Sequence, residues 1–388
     1  MSSDLTEVRE EYFENMPTHV EVEVFEDPEG TAEDKPSEIK PWDPERIRVS
    51  TKQFSLRHVL DLIQEDDLDL APDFQRNRVW SSHQKSRLIE SILLQIPLPA
   101  FYFAEDPDGM LRAVDGLQRL STVYSFVRGG DDAFTLRGME YLHKWDGVTF
   151  ADLPAPLRRR LHNTQIVVHV IDPTTPPAVK YEIFRRINTG GTPLNSQEIR
   201  HCMAKPRSRD FLKRCAASEA FQGATQGDLK DHIRMADREI VLRYLAFRRF
   251  DVDGYAEIGS MDSFLDRMSG DLEDPGLMPD EKLEELFDNF ELAMALCRDT
   301  LGEYAFRKFS SGRKNPINRP LFESWSIAIG EAGSRVLDCS EELVERARDL
   351  ESSDTVYLDS ITTSTGGSRR VRTRFERVRS EVRAVLRG

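Results

Sequence analysis

Cysteine is scarce in this sequence of 388 residues, which contains only four. Cys202, Cys215, Cys297 and Cys339 lie far apart and lack the close pairs found in zinc or redox motifs. We therefore expect four reduced cysteines with mainly structural roles.

Long apolar runs are also missing. The longest candidate, SILLQIPLPAFYFA, is interrupted by Pro97 and Pro99, so the sequence predicts no membrane span. The N-terminus has no basic region followed by an apolar core, and we therefore expect no secretory signal. These absences predict a cytoplasmic protein.

Three common catalytic motifs do not occur. The sequence contains no G-x-x-x-x-G-K-[ST], no G-x-G-x-x-G and no H-E-x-x-H, which excludes standard P-loop, Rossmann and zincin sites. Of the scattered histidines, His232 in DLKDHIRMAD most resembles part of a nuclease motif, but no second histidine or asparagine has a suitable spacing. We interpret His232 as a residue at a helix start, and no histidine-based nuclease centre is indicated.

Charge is distributed unevenly along the chain. The net charge is −15, and residues 1–48 hold fifteen acidic residues against five Lys or Arg, a pattern that predicts an acidic, largely disordered arm. Residues 368–388 reverse the sign, with eight arginines and two glutamates. Bulk electrostatics therefore disfavour a protein that coats nucleic acid, although a local basic patch remains at the end of the chain.

Hydrophobic periodicity predicts an α+β domain over residues 49–203 and an all-helical domain over 204–388. FSLRHVLDLI and SSHQKSRLIESILLQIP have helical spacing with serine caps. AFYFAE and LRAVDG flank the turn DPDG and predict a β-hairpin, and QIVVHVID predicts a further strand. After about residue 203 the strand patterns stop, and helical patterns follow.

The stretch LRAVDGLQRLSTVYSF predicts a strand that ends at Asp115-Gly116 and continues at once as a helix. Gln118 and Arg119 fall in the first helical turn, where free N–H groups and an arginine suit a phosphate. Asp115 would be repelled by a phosphate unless it binds Mg²⁺, orients water or fixes the arginine. The residues alone equally allow Asp115 to cap the helix and pair with Arg119.

Two further stretches offer polar contacts. DFQRNRVWSSHQKSR places Gln75, Arg76, Arg78 and Lys85 around Trp80, a combination that can hold the phosphates and base of a nucleotide. Taken alone, this pattern favours a buried Trp80 and a solvated arginine face.

FRRINTGGTPLNSQE brings Asn188, Thr189 and Gly190 to a loop after a helix. These residues could line the edge of a pocket, although such a sequence by itself is more typical of a helix C-cap.

The C-terminal run has apolar residues on one helical face and arginines on the others, which predicts a docked amphipathic helix. Arg369, Arg370, Arg372 and Arg374 could contact DNA or the acidic arm of the same chain.

Four of these stretches, in this order, resemble the DUF262 family, which includes the N-terminal part of the GmrSD restriction enzymes. The matching segments are FQRNRVW, LIESILLQIPLP, VDGLQRLSTVYSF and FRRINTGGTPLNSQEIR. The resemblance implies a ParB/sulfiredoxin-like fold, a small mixed sheet with helices, and a nucleoside triphosphate bound and hydrolysed in control of DNA restriction or phage defence.

The same resemblance implies functions for particular residues. Asp115, Gln118 and Arg119 would be catalytic, with Asp115 a ligand of Mg²⁺, and Gly116 would bind the nucleotide together with Gln75, Arg76, Asn188, Thr189 and Gly190. Leu117 departs from the family signature, which has a glutamine there.

The implied setting is a prokaryotic cytoplasmic protein that acts with DNA or a nuclease partner and can form a homo-oligomer. Two alternatives remain open. One is a DNA-binding regulator without enzymatic activity, which uses Arg76, Arg78 and the C-terminal arginines, and the other is a ParB-like DNA nickase.

Overall fold

A computed structural model describes residues 8–23, 48–70, 80–130, 133–187, 194–310 and 314–387. The chain divides into two compact units. Pro41–Met203 form the sheet unit, and Met1–Lys40 with Ala204–Gly388 form the helical unit.

Among its described residues the sheet unit has five strands: β3 (Val49–Ser55), β4 (Leu68–Asp69), β5 (Phe101–Glu105), β6 (Leu111–Asp115) and β7 (Gln165–Ile171). Their order across the sheet is β3-β7-β5-β6-β4. β5 pairs with β6 antiparallel and with β7 parallel, so the sheet is mixed. The hairpin and the last strand predicted from the sequence are confirmed.

Six helices accompany this sheet in the described residues. They are α1 (Leu56–Gln64), α2 (Ser82–Leu93), α3 (Leu117–Arg128), α4 (Ala155–Asn163), α5 (Pro177–Ile187) and α6 (Ser196–Met203). The predicted serine caps are present: Ser55 accepts from the His58 N–H, and Ser81 forms a capping box with Gln84. On one face of the sheet, Phe184 of α5 and Ile199 of α6 pack against Ala104, Val114 and Ile171.

The helical unit contains nine helices and a hairpin in its described residues. The helices are α7 (Pro206–Ala217), α8 (Glu219–Thr225), α9 (Ala236–Ile258), α10 (Met261–Glu273), α11 (Asp280–Leu301), α12 (Arg319–Ala332), α13 (Ser340–Ser353), α14 (Thr355–Ser360) and α15 (Ser368–Val385). A mixed sheet followed by a helical region is the fold class expected from the sequence, and it is confirmed.

The N-terminal arm differs from expectation. Residues 1–48 were expected to be largely disordered, with HVEVEVFED as a candidate edge strand, and Glu10–Phe13 and Met16–Glu21 form an antiparallel hairpin, β1-β2. Residues 1–7 and 24–47 of the arm lie outside the described residues. Val20 is fully buried in the helical core, and the Glu21 N–H donates to the Ile317 carbonyl at 2.9 Å. The hairpin has few apolar residues, and carboxylates of the hairpin and of Glu23, two residues after it, pair instead with buried cations of the helical unit.

Two of these contacts show how the docking works. Glu21 Oε1 accepts from Lys308 Nζ at 2.6 Å, and Glu23 Oε2 accepts from Arg243 Nη2 at 2.6 Å. All four side chains are less than 10% exposed. Local sequence patterns could not reveal these ion pairs, because the cations lie more than 200 residues away in the chain.

Candidate functional site

The turn between β6 and α3 requires a glycine. Gly116 has a φ of +94°, in the left-handed region that glycine tolerates best. A Cβ atom at this position would also collide with the Phe101 ring. The strand therefore passes directly into the helix, as the sequence predicted, and the first turn of α3 lies at the end of β6 beside the start of β5.

The start of α3 has unsatisfied N–H groups. The Leu120 N–H donates to the Gly116 carbonyl at 2.8 Å and closes the first turn, but no side chain caps the helix. The N–H groups of Leu117, Gln118 and Arg119 have no acceptor among the described residues. Such a helix start carries partial positive charge and suits an anion.

Arg119 is anchored at the end of the sheet. Its Nη1 donates to the Pro99 carbonyl at 2.5 Å, and its Nη2 donates to the Ala100 carbonyl at 3.1 Å and to Asp115 Oδ2 at 3.0 Å. The guanidinium also stacks on the Phe101 ring, with 4.1 Å between Cζ and the ring centroid. Arg119 therefore fixes the segment before β5 to the first turn of α3.

This anchoring leaves Arg119 partly available. Burial lowers the pKa of Arg119, and Asp115 opposes that shift, so the side chain stays charged at neutral pH. A guanidinium has five N–H donors, and the three bonds to Pro99, Ala100 and Asp115 leave two. The group can thus hold its own loop and still donate to a bound anion.

Gln118 contains a buried amide without a partner. Its Nε2 atom is inaccessible to solvent and makes no hydrogen bond. Leaving such a donor unpaired costs about 1–3 kcal/mol, which an acceptor on a ligand would recover. The first turn of α3 therefore contains this unpaired donor as well as the uncapped N–H groups.

Asp115 pairs with Arg119 and does not cap α3. Its side chain is 36% exposed, and Oδ2 makes the ion pair with Arg119. In the part of the chain that the structure describes, no group of three or more His, Cys, Asp or Glu could hold a metal ion. A Mg²⁺ ion here would therefore depend on one carboxylate, with water and phosphate oxygens as the other ligands.

Leu117 is buried and only 5% exposed. In this turn the residue that departs from the family signature therefore packs into the core beneath the helix. The turn offers one side-chain amide, that of Gln118.

Most of the other residues expected at the nucleotide lie outside the described residues. These are Gln75, Arg76, Asn188, Thr189 and Gly190. Arg78, which was expected to contact DNA, also lies outside the described residues. Lys85 is described, and its Nζ lies 5.4 Å from the centroid of the Phe134 ring.

The C-terminal arginines differ in their surroundings. Arg374 is fully buried and pairs with Glu323, and Arg370 bonds to Asp359 and Thr363. Burial makes Arg374 unavailable to DNA, contrary to expectation, whereas Arg370 is partly exposed and its contact with DNA stays a prediction. Arg369 and Arg372 remain exposed.

Sequence reasoning missed another set of arginines, on α15 and in the turn that follows it. Residues one helical turn apart line an open groove of about 490 Å³: Glu376, Arg379, Ser380, Arg383, Ala384 and Arg387. The i, i+4, i+8 spacing of its three arginines was the available signal. Arg379 pairs with Glu331 and Asp251, whereas Arg383 and Arg387 are exposed.

Comparison with known proteins gives one family. The sequence model described as "GmrSD restriction endonuclease, N-terminal domain" matches residues 59–204, a range that includes the turn from Asp115 to Arg119. No curated protein matches the chain. Among the helices that the structure describes, none is long and apolar enough to cross a membrane.

Proposed function

We propose that this protein binds a nucleoside triphosphate in a system of DNA restriction or phage defence, because residues 59–204 match the model of the GmrSD restriction endonuclease N-terminal domain. The observation that carries the proposal is the uncapped start of α3 with the unpaired Gln118 amide. Both features supply donors that a phosphate group would satisfy.

Each residue of the turn has a distinct function in this proposal. The N–H groups of residues 117–119 and the Gln118 amide donate to phosphate oxygens. Arg119 adds charge through its two remaining donors, and Asp115 holds the guanidinium in place. The second oxygen of Asp115 orients water or contributes to a Mg²⁺ site that the phosphates complete.

We propose slow hydrolysis at this site, with binding as its main property. The buried Leu117 leaves the turn with a single side-chain amide to position water. A nucleotide that is held for long periods and hydrolysed slowly can act as a switch for contact with DNA or with a nuclease partner.

Calorimetric titration of the full chain with ATP, GTP, CTP and UTP in Mg²⁺ tests the proposal. Gln118→Ala should weaken binding of the preferred nucleotide roughly 10- to 150-fold, as expected for a hydrogen bond to a charged group. The variant should melt no lower than the parent without nucleotide, because the lost amide is unpaired. Gln64→Ala, at an exposed position of α1, is the matched control and should bind normally. Failure of the parent protein to bind all four nucleotides would contradict the proposal.

A second candidate function is DNA binding through α15. The exposed Arg383 and Arg387 in the groove support it, and Glu376 reduces the local positive charge. Binding should weaken steeply with salt, and Arg383→Gln with Arg387→Gln should reduce that salt dependence. Equal salt dependence in parent and variant would reject this surface.

A further inference from the structure

Four side chains form one row across the sheet unit. The register pairs Thr51 of β3 with His169 of β7, His169 with Tyr102 of β5, and Tyr102 with Asp115 of β6. Residues that are paired across neighbouring strands lie side by side. The row therefore leads from the edge strand to the carboxylate at the candidate phosphate site.

A β-bulge determines how the row ends. Tyr102 is opposite Asp115, but Phe103 is opposite Ala113, so β6 has one additional residue, Val114, at this point. Bulges redirect a side chain and are frequent beside functional sites. This one brings Asp115 into register with Tyr102 immediately before the turn at Gly116.

The centre of the row is a pair of rings. The centroids of Tyr102 and His169 are 4.8 Å apart, and the ring planes are tilted by 38°. Thr51 Oγ1 lies 2.9 Å from His169 Nδ1 and orients the imidazole. Tyr102 also packs against the apolar cluster of Ala104, Phe184 and Ile199. This packing positions the Tyr102 ring, and the contact with Thr51 positions the His169 ring.

The polar ends of both rings remain unused. Neither Tyr102 Oη nor His169 Nε2 bonds to a residue in the described ranges, and both side chains are only half-buried. An aromatic ring with a packed body and an open polar end is typical of a contact surface.

We propose that Tyr102 and His169 form the subsite for the base of the nucleotide whose phosphates meet the start of α3. This inference rests on the proposed function of that turn. Adjacent strands are about 4.8 Å apart, which places His169 roughly 10 Å from Asp115 across β5, a span that fits an extended nucleotide. Aromatic faces stack on bases with little dependence on base identity.

The test separates the base from the phosphates. Binding of the preferred nucleoside triphosphate and of inorganic tripolyphosphate is measured by calorimetry in the full chain. Tyr102→Leu keeps an apolar side chain over the cluster, and His169→Ala provides a second variant at a more peripheral position. Tyr141→Leu is the matched control, because Tyr141 is 69% exposed on the connection between α3 and α4.

Stacking predicts that Tyr102→Leu and His169→Ala each weaken nucleotide binding roughly 5- to 150-fold while tripolyphosphate binds as in the parent. Tyr141→Leu should leave both ligands unaffected. Unchanged nucleotide binding in Tyr102→Leu and His169→Ala would overturn the base subsite and leave the phosphate site standing. Equal losses for nucleotide and tripolyphosphate would also overturn it, since the rings would then only support the turn. If neither ligand binds the parent protein, the proposed function fails and the base subsite fails with it.

Discussion

Glu23→Gln tests whether charge holds the N-terminal hairpin to the helical unit. Glu23 is 5% exposed and accepts from Arg243 Nη2 and from Thr365 Oγ1, each at 2.6 Å. Burial alone would raise the pKa of Glu23, but Arg243 and then Arg319 outweigh burial and lower the pKa. The carboxylate is therefore ionised in the folded protein at neutral pH.

The expected loss of stability in Glu23→Gln follows from the charges around position 23. Three arginines face four carboxylates in one cluster: Arg243, Arg319, Arg374, Glu11, Glu23, Glu239 and Glu323. Glutamine at position 23 keeps the shape of the side chain but removes the carboxylate that lies nearest to Arg243. Arg243 retains Glu239 and Glu323 as partners, so we expect the lower end of the range for a broken buried pair, about 3 kcal/mol.

Thermal unfolding provides the assay. For a unit of this size, each kcal/mol lowers Tm by about 2–4 °C, so Glu23→Gln should lower it by roughly 6–12 °C. Glu14→Gln makes the same chemical change at an exposed turn position of the same hairpin and should have almost no effect. Equal Tm values for the two variants would refute the idea that buried charge docks the hairpin.

Three further predictions concern other parts of the chain. Burial lowers the pKa of His232 to about 4, and its Nδ1 accepts from two backbone N–H groups. In the unfolded chain His232 binds a proton at higher pH than in the folded protein, so acidification from pH 7 to 5 should lower the free energy of unfolding, measured with urea, by about 2 kcal/mol. His232→Asn should remove this pH-dependent loss of stability. An unchanged pH profile in the variant would exclude His232 as the source of the loss. Gly116→Ala should lower Tm more than Gly109→Ala, because both have positive φ but only position 116 meets the Phe101 ring; equal shifts would mean that this contact is unimportant. Arg119→Lys should destabilise the protein by about 1–3 kcal/mol, since lysine cannot keep the three bonds, and unchanged urea unfolding would argue against the anchoring function.

Local patterns in the sequence predicted much of the sheet unit. The serine caps of α1 and α2 depend on residues three apart, and both are present. Local patterns also predicted the hairpin of β5 and β6 and the apolar face of α15 in the helical unit, because the periodicity of apolar residues indicates which face of an element is buried.

Contacts between distant residues could not be predicted in this way. Glu23 and Arg243 are 220 residues apart, and a local reading treats each as an exposed charge. Arg374 lies among other arginines in the sequence and was likewise interpreted as an exposed charge. Its partner Glu323, however, lies on α12, and both side chains are fully buried. Buried ion pairs give no periodic signal, and the acidic composition of the arm therefore suggested disorder.

The candidate site contains features that the sequence predicted and others that it could not. The glycine turn and the first residues of α3 followed from the sequence, but the carbonyls that hold Arg119 come from Pro99 and Ala100 of the neighbouring strand segment. The pairing of Tyr102 with His169 depends on strand order and register, which a single sequence does not define.

The central claim is that the start of α3 binds phosphate, and backbone amide chemical shifts measured by NMR during titration with inorganic tripolyphosphate test it most directly. We predict that the amide resonances of Leu117, Gln118 and Arg119 shift the most and saturate with a common Kd, because these N–H groups gain acceptors. Saturable shifts confined to other residues, or no shifts at these three, would contradict the account.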